Sequence, residues 1–206
     1  MSVWGLISDV HGNLPALQDA LRVVHARGAI RLAFLGDYLG RGDADACAHS
    51  IRELADVAVV GNRDLDWQDR VAPETRAWVL SLPRSAVMDG VLVAHGDARL
   101  TRRLGTNQIA RQFADAWQEM DVRGARVWVF GHSHFARTWR KPASAAPAEL
   151  LGARAALEAE GSGCRYFVNV GTTGLPFPGK GGPSVAVLDL ANGWVEHIPL
   201  TWQAEK

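Results

Sequence analysis

The chain has 206 residues, of which 48% are hydrophobic and 21% are charged, a balance typical of a globular protein and not of a disordered one. Its 22 basic and 22 acidic residues give a formal net charge of zero. A neutral chain lacks the basic field that holds duplex DNA, so we expect no stable nucleic-acid partner. Two cysteines make no disulfide framework, and no stretch of about 18 apolar residues is present, so we expect a cytoplasmic protein without membrane association.

The first third of the chain alternates short apolar runs with amphipathic segments. Three runs predict buried strands: Val3–Ile7, Leu32–Leu35 and Val57–Val60. The first helix should begin after Asn13 as N-cap, with Pro15 in its first turn, and end before Gly28. A second helix is predicted over 43–54. Strands joined by helices in this way favour an α/β fold with parallel strands.

The rest of the chain predicts further helices and more strands. The segment 64–82 should be helical in parts, 87–95 should form a hairpin, 108–120 a helix and 127–130 a strand. Three last runs predict a strand meander: 166–170, 184–188 and 194–198, with Asn192-Gly193 as a hairpin turn. The segment 141–163 begins and ends in Pro-, Ser- and Gly-rich sequence, and its alanine-rich part over 148–160 predicts a helix. We therefore expect one domain over 1–206 with a surface insertion at 141–163.

Side chains that can bind a metal follow five of the predicted strands. They are Asp9 and His11, then Asp37, Asn62 and His95, and finally His132 with His134. Each of them alone is weak, because an Asp after a strand is usually a turn former and a single His is usually structural. Ligands of open α/β sheets, however, bind beyond the carboxyl ends of the strands. The pattern therefore predicts that these seven residues lie along one crevice.

The residue types indicate which metals this crevice would hold. Carboxylate, amide and imidazole groups without cysteine suit Mn²⁺, Fe or Zn²⁺, and we expect Mn²⁺ first. Seven ligands are too many for one ion with an open position. They suit two ions that share a carboxylate. The ions of such pairs lie roughly 3.5–4 Å apart and lower the pKa of bound water.

The same motifs, in order along the chain, resemble those of the calcineurin-like metallophosphoesterases. They are Asp9-Val10-His11, Gly36-Asp37, Gly61-Asn62-Arg63-Asp64, His95-Gly96 and Gly131-His132-Ser133-His134. The stretches 7–17 and 168–171 are similar to the small bacterial branch of predicted phosphodiesterases in that family. The resemblance implies a four-layer α/β/β/α sandwich, in which two mixed β-sheets are flanked by helices.

The resemblance also implies a role for each ligand. Asp9, His11 and His134 would hold one ion, and Asn62, His95 and His132 the other. Asp37 would bridge the two ions, and a hydroxide between them would attack phosphorus. Among the motif residues we expect Asp37, Arg63 and Asp64 to serve catalysis.

Two positions depart from the family pattern. Many members have a histidine at the place of Arg63, where it helps to protonate the leaving group. Arginine stays charged and cannot act as an acid, but it can bind a phosphate oxygen. We expect Arg63 to bind the substrate phosphate, the alternative being a surface ion pair with Asp64. Gly40 replaces the aspartate of protein Ser/Thr phosphatases and disfavours that activity, while Arg41 remains a candidate phosphate contact.

Weaker candidates accompany these residues. Asn13 could contact the substrate or only cap the first helix, and 171–174 could form the floor of the site or only a turn. Trp67 and Trp139 could stack on a base or belong to the core.

These features predict a dinuclear metal-dependent phosphoesterase that acts on phosphodiester bonds of small nucleotide-like substrates. The alternatives are a dinucleoside-polyphosphate hydrolase, a phosphomonoesterase or protein phosphatase, a nuclease, and a non-catalytic scaffold of the same fold. The complete ligand set argues against a scaffold, and the neutral charge argues against a nuclease. The sequence leaves the natural substrate and the oligomeric state open.

Overall fold

A computed structural model describes residues 3–96, 115–179 and 181–202. Its helices are α1 (Leu14–Ala26), α2 (Ala44–Leu54), α3 (Asn62–Trp67) and α4 (Pro73–Ser81), with a 3₁₀ turn at Gln68–Arg70. The first six strands are β1 (Val3–Ile7), β2 (Arg31–Phe34), β3 (Val57–Ala58), β4 (Ser85–Met88), β5 (Val91–Ala94) and β6 (Val127–Phe130). The other six are β7 (Arg137–Pro142), β8 (Ala148–Leu150), β9 (Arg154–Ala156), β10 (Cys164–Asn169), β11 (Ser184–Asp189) and β12 (Trp194–Pro199). Residues 115–122 are helical, and the remainder of the helix predicted over 108–120 lies outside the described residues.

The strands form two mixed sheets of six strands each. The first has the order β3-β2-β1-β11-β12-β9, and the second has the order β4-β5-β6-β10-β7-β8. Strands β1, β2 and β3 run parallel, as do β5, β6 and β10, while the remaining pairs are antiparallel. The parallel strands lie at one end of the first sheet and in the middle of the second, and the loops after β1, β2, β5 and β6 carry predicted ligands.

Strand β6 shows how the layers pack. Val127 and Val129 belong to the core between the two sheets, together with Leu6 of the first sheet. Trp128 and Phe130 alternate with them and pack on the outer face, in a cluster that includes Met120 of the helical segment 115–122. On the outer face of the first sheet, α1 and α2 cover the strands. The layers are helix, sheet, sheet and helix, so the predicted four-layer sandwich is confirmed.

Helix ends follow their sequence signals. The side chain of Asn13 accepts a hydrogen bond of 3.0 Å from Ala16 N, and that of Asp43 accepts one of 3.1 Å from Ala46 N. Gly28 follows α1 with a left-handed φ of 82°, which glycine adopts readily. None of the helices in the described ranges is both long and apolar enough to cross a membrane.

Two predictions about the later segments are wrong. Instead of a helix, 148–160 contains the short strands β8 and β9, which form an edge of the second and of the first sheet respectively. Alanine favours a helix locally, but strand pairing with β7 and β12 outweighs that preference. The last three strands are not one meander, because β10 belongs to the second sheet, and only β11 and β12 form a hairpin. That the chain is one domain with an insertion at 141–163 stays a prediction.

Candidate metal centre

The loops that follow the strands bring the predicted ligands into two adjacent groups. Asp9, His11 and His134 form one group, and Asp37, His95 and His132 form the other, with the ligand atoms of each group within 4.8 Å of one another. The seventh residue, Asn62, places its Oδ1 2.7 Å from Nδ1 of His132 and so belongs with the second group. We call these seven residues the ligand cluster.

Asp37 lies between the two groups. Its Oδ2 is 3.2 Å from Nε2 of His95 and 3.8 Å from Nε2 of His11. Its other oxygen, Oδ1, accepts a hydrogen bond of 2.7 Å from the backbone N–H of Arg63. One oxygen is therefore held by the backbone while the other faces both groups, which is the geometry that a bridging carboxylate needs.

Hydrogen bonds to backbone carbonyls orient two of the imidazoles. Nδ1 of His95 lies 2.7 Å from the carbonyl of Leu35, and Nδ1 of His134 lies 2.6 Å from that of Leu175. Since a carbonyl can only accept, each Nδ1 carries a proton, and in the neutral imidazole each Nε2 presents its lone pair to the cluster. This is the tautomer that a metal-binding histidine needs.

The donor set fits divalent metal ions. Nε2 of His134 lies 3.2 Å from Nε2 of His11 and 3.0 Å from Oδ1 of Asp9. That oxygen is buried and accepts no hydrogen bond from the residues that the structure describes. Lone pairs that converge on one point while a carboxylate oxygen stays unsatisfied are costly in a protein interior, unless a cation lies between them.

The electrostatics of the cluster point the same way. Burial lowers the pKa of His95, but the charges of Asp9 and Asp37 outweigh burial and raise this pKa to about 9. Burial raises the pKa of Asp9, yet the charge of His95 and the neighbouring imidazoles of His11 and His134 bring it below its ordinary value. Burial and the charge of His95 lower the pKa of His132. The carboxylates thus create a local potential that favours a bound cation.

Backbone strain is concentrated in the same loops. Five ligands have a left-handed φ between 53° and 64°: Asp9, His11, Asp37, His132 and His134. This conformation costs roughly 1–3 kcal/mol for a residue other than glycine and persists only where the surroundings enforce it. Here the backbone N–H of His11 donates to Asp37 O at 2.9 Å, and that of Asp9 donates to Gly36 O at 3.1 Å. Such clustering of strained residues is typical of functional sites.

Asp64 joins the loops that carry Asp37 and Asn62. Its Oδ2 accepts hydrogen bonds from the backbone of Asp37 (2.9 Å) and Gly61 (2.8 Å), and its Oδ1 from Tyr38 (2.7 Å) and Leu39 (2.9 Å). Burial and the charge of Asp37 raise its pKa to about 6, while the amides of Leu39 and Gly61 oppose that rise. The side chain is fully buried. Asp64 therefore acts by positioning these loops and not by contact with a substrate.

The sequence of the chain matches that of a known protein family over most of its length. A sequence model of the calcineurin-like phosphoesterase superfamily domain matches residues 1–193. The chain belongs to the calcineurin-like phosphoesterase superfamily. This superfamily typically depends on two metal ions, and the ligand cluster offers two candidate groups for them.

Solved structures of the superfamily share the fold. A metallophosphoesterase from Sphaerobacter thermophilus is similar with a TM-score of 0.80 and 23% identity, over 98% of this chain and 89% of that one. An archaeal phosphodiesterase is similar with a TM-score of 0.55 and 16% identity, over 96% and 99% of the two chains. The chain is also 41% identical over 64 residues to MJ0912, an uncharacterized protein of Methanocaldococcus jannaschii. That match spans 31% of this chain and only 26% of the relative.

The two departures from the superfamily pattern lie beside the cluster. The side chain of Arg63 is half exposed and its Nη1 lies 3.6 Å from Asp66 Oδ2. The alternative of an ion pair with Asp64 is therefore wrong, since both oxygens of Asp64 bind backbone amides.

At Gly40, a Cβ would come within 2.4 Å of the carbonyl oxygen of His11. This backbone leaves no room for an aspartate there. Arg41 is exposed.

The weaker candidates have mainly structural contacts. Asn13 caps α1 and also donates to Gly174 O at 3.2 Å, so both ends of its amide are used. Its role toward a substrate stays a prediction. Trp139 is buried and stacks on Phe130, so the expectation of a base-stacking role is wrong for this residue. Trp67 packs in a cluster with Leu39 and lies beneath Arg70.

The loop 171–174 lies against the first ligand. Thr172 Oγ1 donates to the carbonyl of Asp9 at 3.0 Å, and the backbone N–H of Gly174 donates to the same carbonyl at 2.9 Å. Thr173 N donates to Ser8 O at 2.9 Å. The loop 171–174 therefore holds the backbone of Ser8 and Asp9 in place through hydrogen bonds to their carbonyl groups.

Sequence reasoning missed three residues that organise the cluster. Ser8 donates a hydrogen bond of 2.6 Å to Asp9 Oδ2, which leaves Oδ1 free to face His134. Asn169 donates to Gly131 O (3.0 Å) and to Ser133 Oγ (2.7 Å), and so holds the loop of His132 and His134. The ring of Phe177 stacks on that of His134. Ser8 and Asn169 adjoin recognised motifs, which was a usable signal, whereas nothing near Phe177 in the sequence indicated its place.

Proposed function

We propose that the chain is a metal-dependent phosphoester hydrolase with two divalent ions, Mn²⁺ foremost and Fe or Zn²⁺ as alternatives, in the ligand cluster. The observation that carries this proposal is the convergence of the seven ligands in two adjacent groups, with one oxygen of Asp37 facing both groups. When bound, the ions would polarise the phosphoryl oxygens and lower the pKa of an attacking water. The substrate is a small phosphate ester.

Each side chain has a defined part in this proposal. Asp9, His11 and His134 would hold one ion, Asn62, His95 and His132 would hold the other, and Asp37 would be shared by both. The hydrogen bonds of Nδ1 in His95 and His134 aim Nε2 inward, so that Nε2 is the atom available to an ion once the imidazole is neutral. Ser8 and the amide of His132, which donates to Asp9 Oδ2 at 3.0 Å, orient the Asp9 carboxylate. The cluster is thus organised before any substrate arrives, so little reorganisation is needed during the reaction.

Arg63 binds the phosphate in this proposal. Its backbone N–H is bonded to Asp37 and its side chain begins in the same turn as Asn62, so it starts beside the cluster and extends into solvent. A guanidinium can bind two phosphate oxygens at once and carries its charge at every physiological pH. Because it cannot donate its proton to a leaving group, we infer a preference for esters whose leaving groups need little protonation.

Phosphodiesters are favoured over protein phosphomonoesters. The resemblance implies that protein Ser/Thr phosphatases have an aspartate at the position of Gly40. The backbone of this chain leaves no space for such a side chain there. The similar archaeal phosphodiesterase supports the same preference at the level of the fold.

The decisive experiment measures hydrolysis of paired chromogenic phosphomonoesters and phosphodiesters by metal-stripped protein before and after addition of Mn²⁺. We expect diester hydrolysis that needs the metal and falls by roughly 10³-fold in Asp37→Asn, because the bridging carboxylate is lost. Asp69→Asn, at an exposed carboxylate that pairs with Arg76, is the matched control. Folded protein with no turnover under any of several metals would contradict the proposal, as would Asp37→Asn with full activity.

A further inference from the structure

An aromatic side chain, that of Phe177, packs against one of the residues of the ligand cluster. The ring of Phe177 lies over the imidazole of His134, with 4.5 Å between ring centres and 20° between the planes. His134 itself is buried, and its Nε2 points at Asp9 Oδ1. Phe177 nevertheless remains 42% exposed. The ring therefore covers a metal ligand with one face and presents further surface to solvent beside the cluster.

The loop around Phe177 is fixed to the cluster. The carbonyl of Leu175 binds His134 Nδ1, and the N–H of Leu175 donates to Thr172 Oγ1 at 3.1 Å. Thr172 in turn donates to the carbonyl of Asp9. Pro176 and Pro178 flank Phe177 and restrict the backbone on both sides. The ring is therefore held in place before any ligand arrives, which lowers the entropic cost of binding to it.

The exposed surface here is apolar although the cluster beside it is polar. Leu175 is 41% exposed, close to the value for Phe177 two residues away. By contrast, Phe167 and Phe34 in the cores of the two sheets are fully buried. Binding sites for small organic molecules commonly combine such apolar surface with a few polar groups that fix the ligand.

We propose that Leu175 and Phe177 form a stacking subsite for the nucleobase of a nucleoside phosphodiester whose phosphate lies at the ligand cluster. This inference rests on the proposed function and names its substrate class. The ribose of a nucleotide separates the base from the phosphate, and Phe177 lies beside the cluster, stacked on the ring of its ligand His134. Every base has a face that can stack on an aromatic ring, so the subsite selects nucleosides over alkyl groups without selecting one base.

The competing explanation is that Phe177 only holds His134 in place. In that case its loss would weaken metal binding and slow every substrate equally. The two roles therefore differ in what they do to the ratio between substrates.

The kinetic test compares two diesters with the same leaving group, the 4-nitrophenyl ester of thymidine 5′-phosphate and methyl 4-nitrophenyl phosphate. We expect Phe177→Leu, which keeps an apolar side chain over His134, to lower kcat/KM roughly tenfold for the nucleoside ester and to leave the methyl ester within about twofold. Leu151→Ala, which removes an exposed apolar side chain from the loop between β8 and β9, is the control and should change neither value. An equal fall for both esters, or no fall for either, would overturn the proposal.

A binding measurement keeps this test separate from that of the proposed function. Calorimetric titration of the Mn²⁺-loaded protein with AMP and with ribose 5-phosphate should show tighter binding of AMP, and Phe177→Leu should abolish that difference. A titration with Mn²⁺ alone should give the same affinity for Phe177→Leu and the unchanged protein. If the protein hydrolyses neither ester but discriminates AMP through Phe177, the hydrolase proposal fails and the subsite stands. If AMP and ribose 5-phosphate bind equally, the subsite is refuted whatever the activity.

Discussion

Asp37 and Arg63 are joined by a hydrogen bond of 2.7 Å, yet their side chains are held in opposite ways. The carboxylate of Asp37 is buried, with one oxygen fixed by a backbone amide and the other between imidazoles. The guanidinium of Arg63 is half exposed and has an ion-pair distance of 3.6 Å to another exposed side chain. The same contrast separates the ligand cluster from the exposed residues around it, namely Arg41, Arg63, Leu175 and Phe177, which we call the rim.

The ligand cluster and the rim differ in how far the fold fixes their side chains. Hydrogen bonds to backbone groups orient four of the ligands, so the fold itself sets much of the geometry of the cluster. These ligands are Asp9, Asp37, His95 and His134. Rim side chains are partly or largely exposed to solvent and hold no metal in this proposal, so they can be exchanged with less effect on the cluster than its ligands. Chemistry common to a superfamily belongs to the first set, and substrate choice belongs to the second.

The largest effect should follow removal of the carboxylate that ties the cluster loops together. Asp64→Ala leaves four buried backbone N–H groups without their acceptor, and we expect the free energy of unfolding to fall by roughly 3–5 kcal/mol. Urea unfolding monitored by circular dichroism measures this change. Asp66→Ala, two residues away and exposed, should stay within about 0.5 kcal/mol of the unchanged protein. Equal stability of the two variants would mean that the cluster loops do not depend on Asp64.

A smaller effect, confined to metal binding, is expected at Ser8. Its hydroxyl orients Asp9 through Oδ2, so Ser8→Ala should lower the affinity for the first bound metal ion about 10- to 100-fold, as is usual for partners of metal ligands. Calorimetric titration of the stripped protein with Mn²⁺ gives the affinity directly. Ser50→Ala, which removes a hydroxyl bonded to a helix carbonyl at 2.9 Å, is the control. Unchanged affinity in Ser8→Ala would show that the amide of His132 suffices to orient Asp9.

The cluster could be predicted from the sequence because its signals are local. Each ligand follows an apolar run by one to four positions, and parallel strands bring their carboxyl ends together whatever the connecting segments do. The N-caps of α1 and α2 could also be predicted, because the side chains of Asn13 and Asp43 accept hydrogen bonds from backbone amides three residues later. The four-layer arrangement came from the resemblance of ordered motifs and not from periodicity.

Contacts between distant segments could not be predicted in this way. The alanine-rich segment 148–160 has helical preferences, but its pairing partners in β7 and β12 belong to different sheets. Phe177 meets His134 across 43 positions of sequence, through a loop whose path depends on Thr172 and Leu175. Likewise, the four amides bound by Asp64 come from two loops. The sequence suggested a catalytic role for Asp64, whereas in the structure its carboxylate holds these loops together. Local patterns therefore located the ligands but not the residues that orient them or surround them.

The smallest effect on the fold, and the sharpest test of the contrast, is expected at Arg63. Arg63→Ala removes a phosphate contact but no buried interaction, so KM for a phosphodiester should rise roughly tenfold while Mn²⁺ affinity and stability stay unchanged. Arg76→Ala is a matched control, because Arg76 is also about half exposed and forms an ion pair of 3.1 Å with Asp69. Steady-state kinetics at saturating Mn²⁺ separate KM from kcat. Lower Mn²⁺ affinity in Arg63→Ala would place Arg63 with the cluster and not with the rim, and an unchanged kcat/KM would remove it from substrate binding altogether.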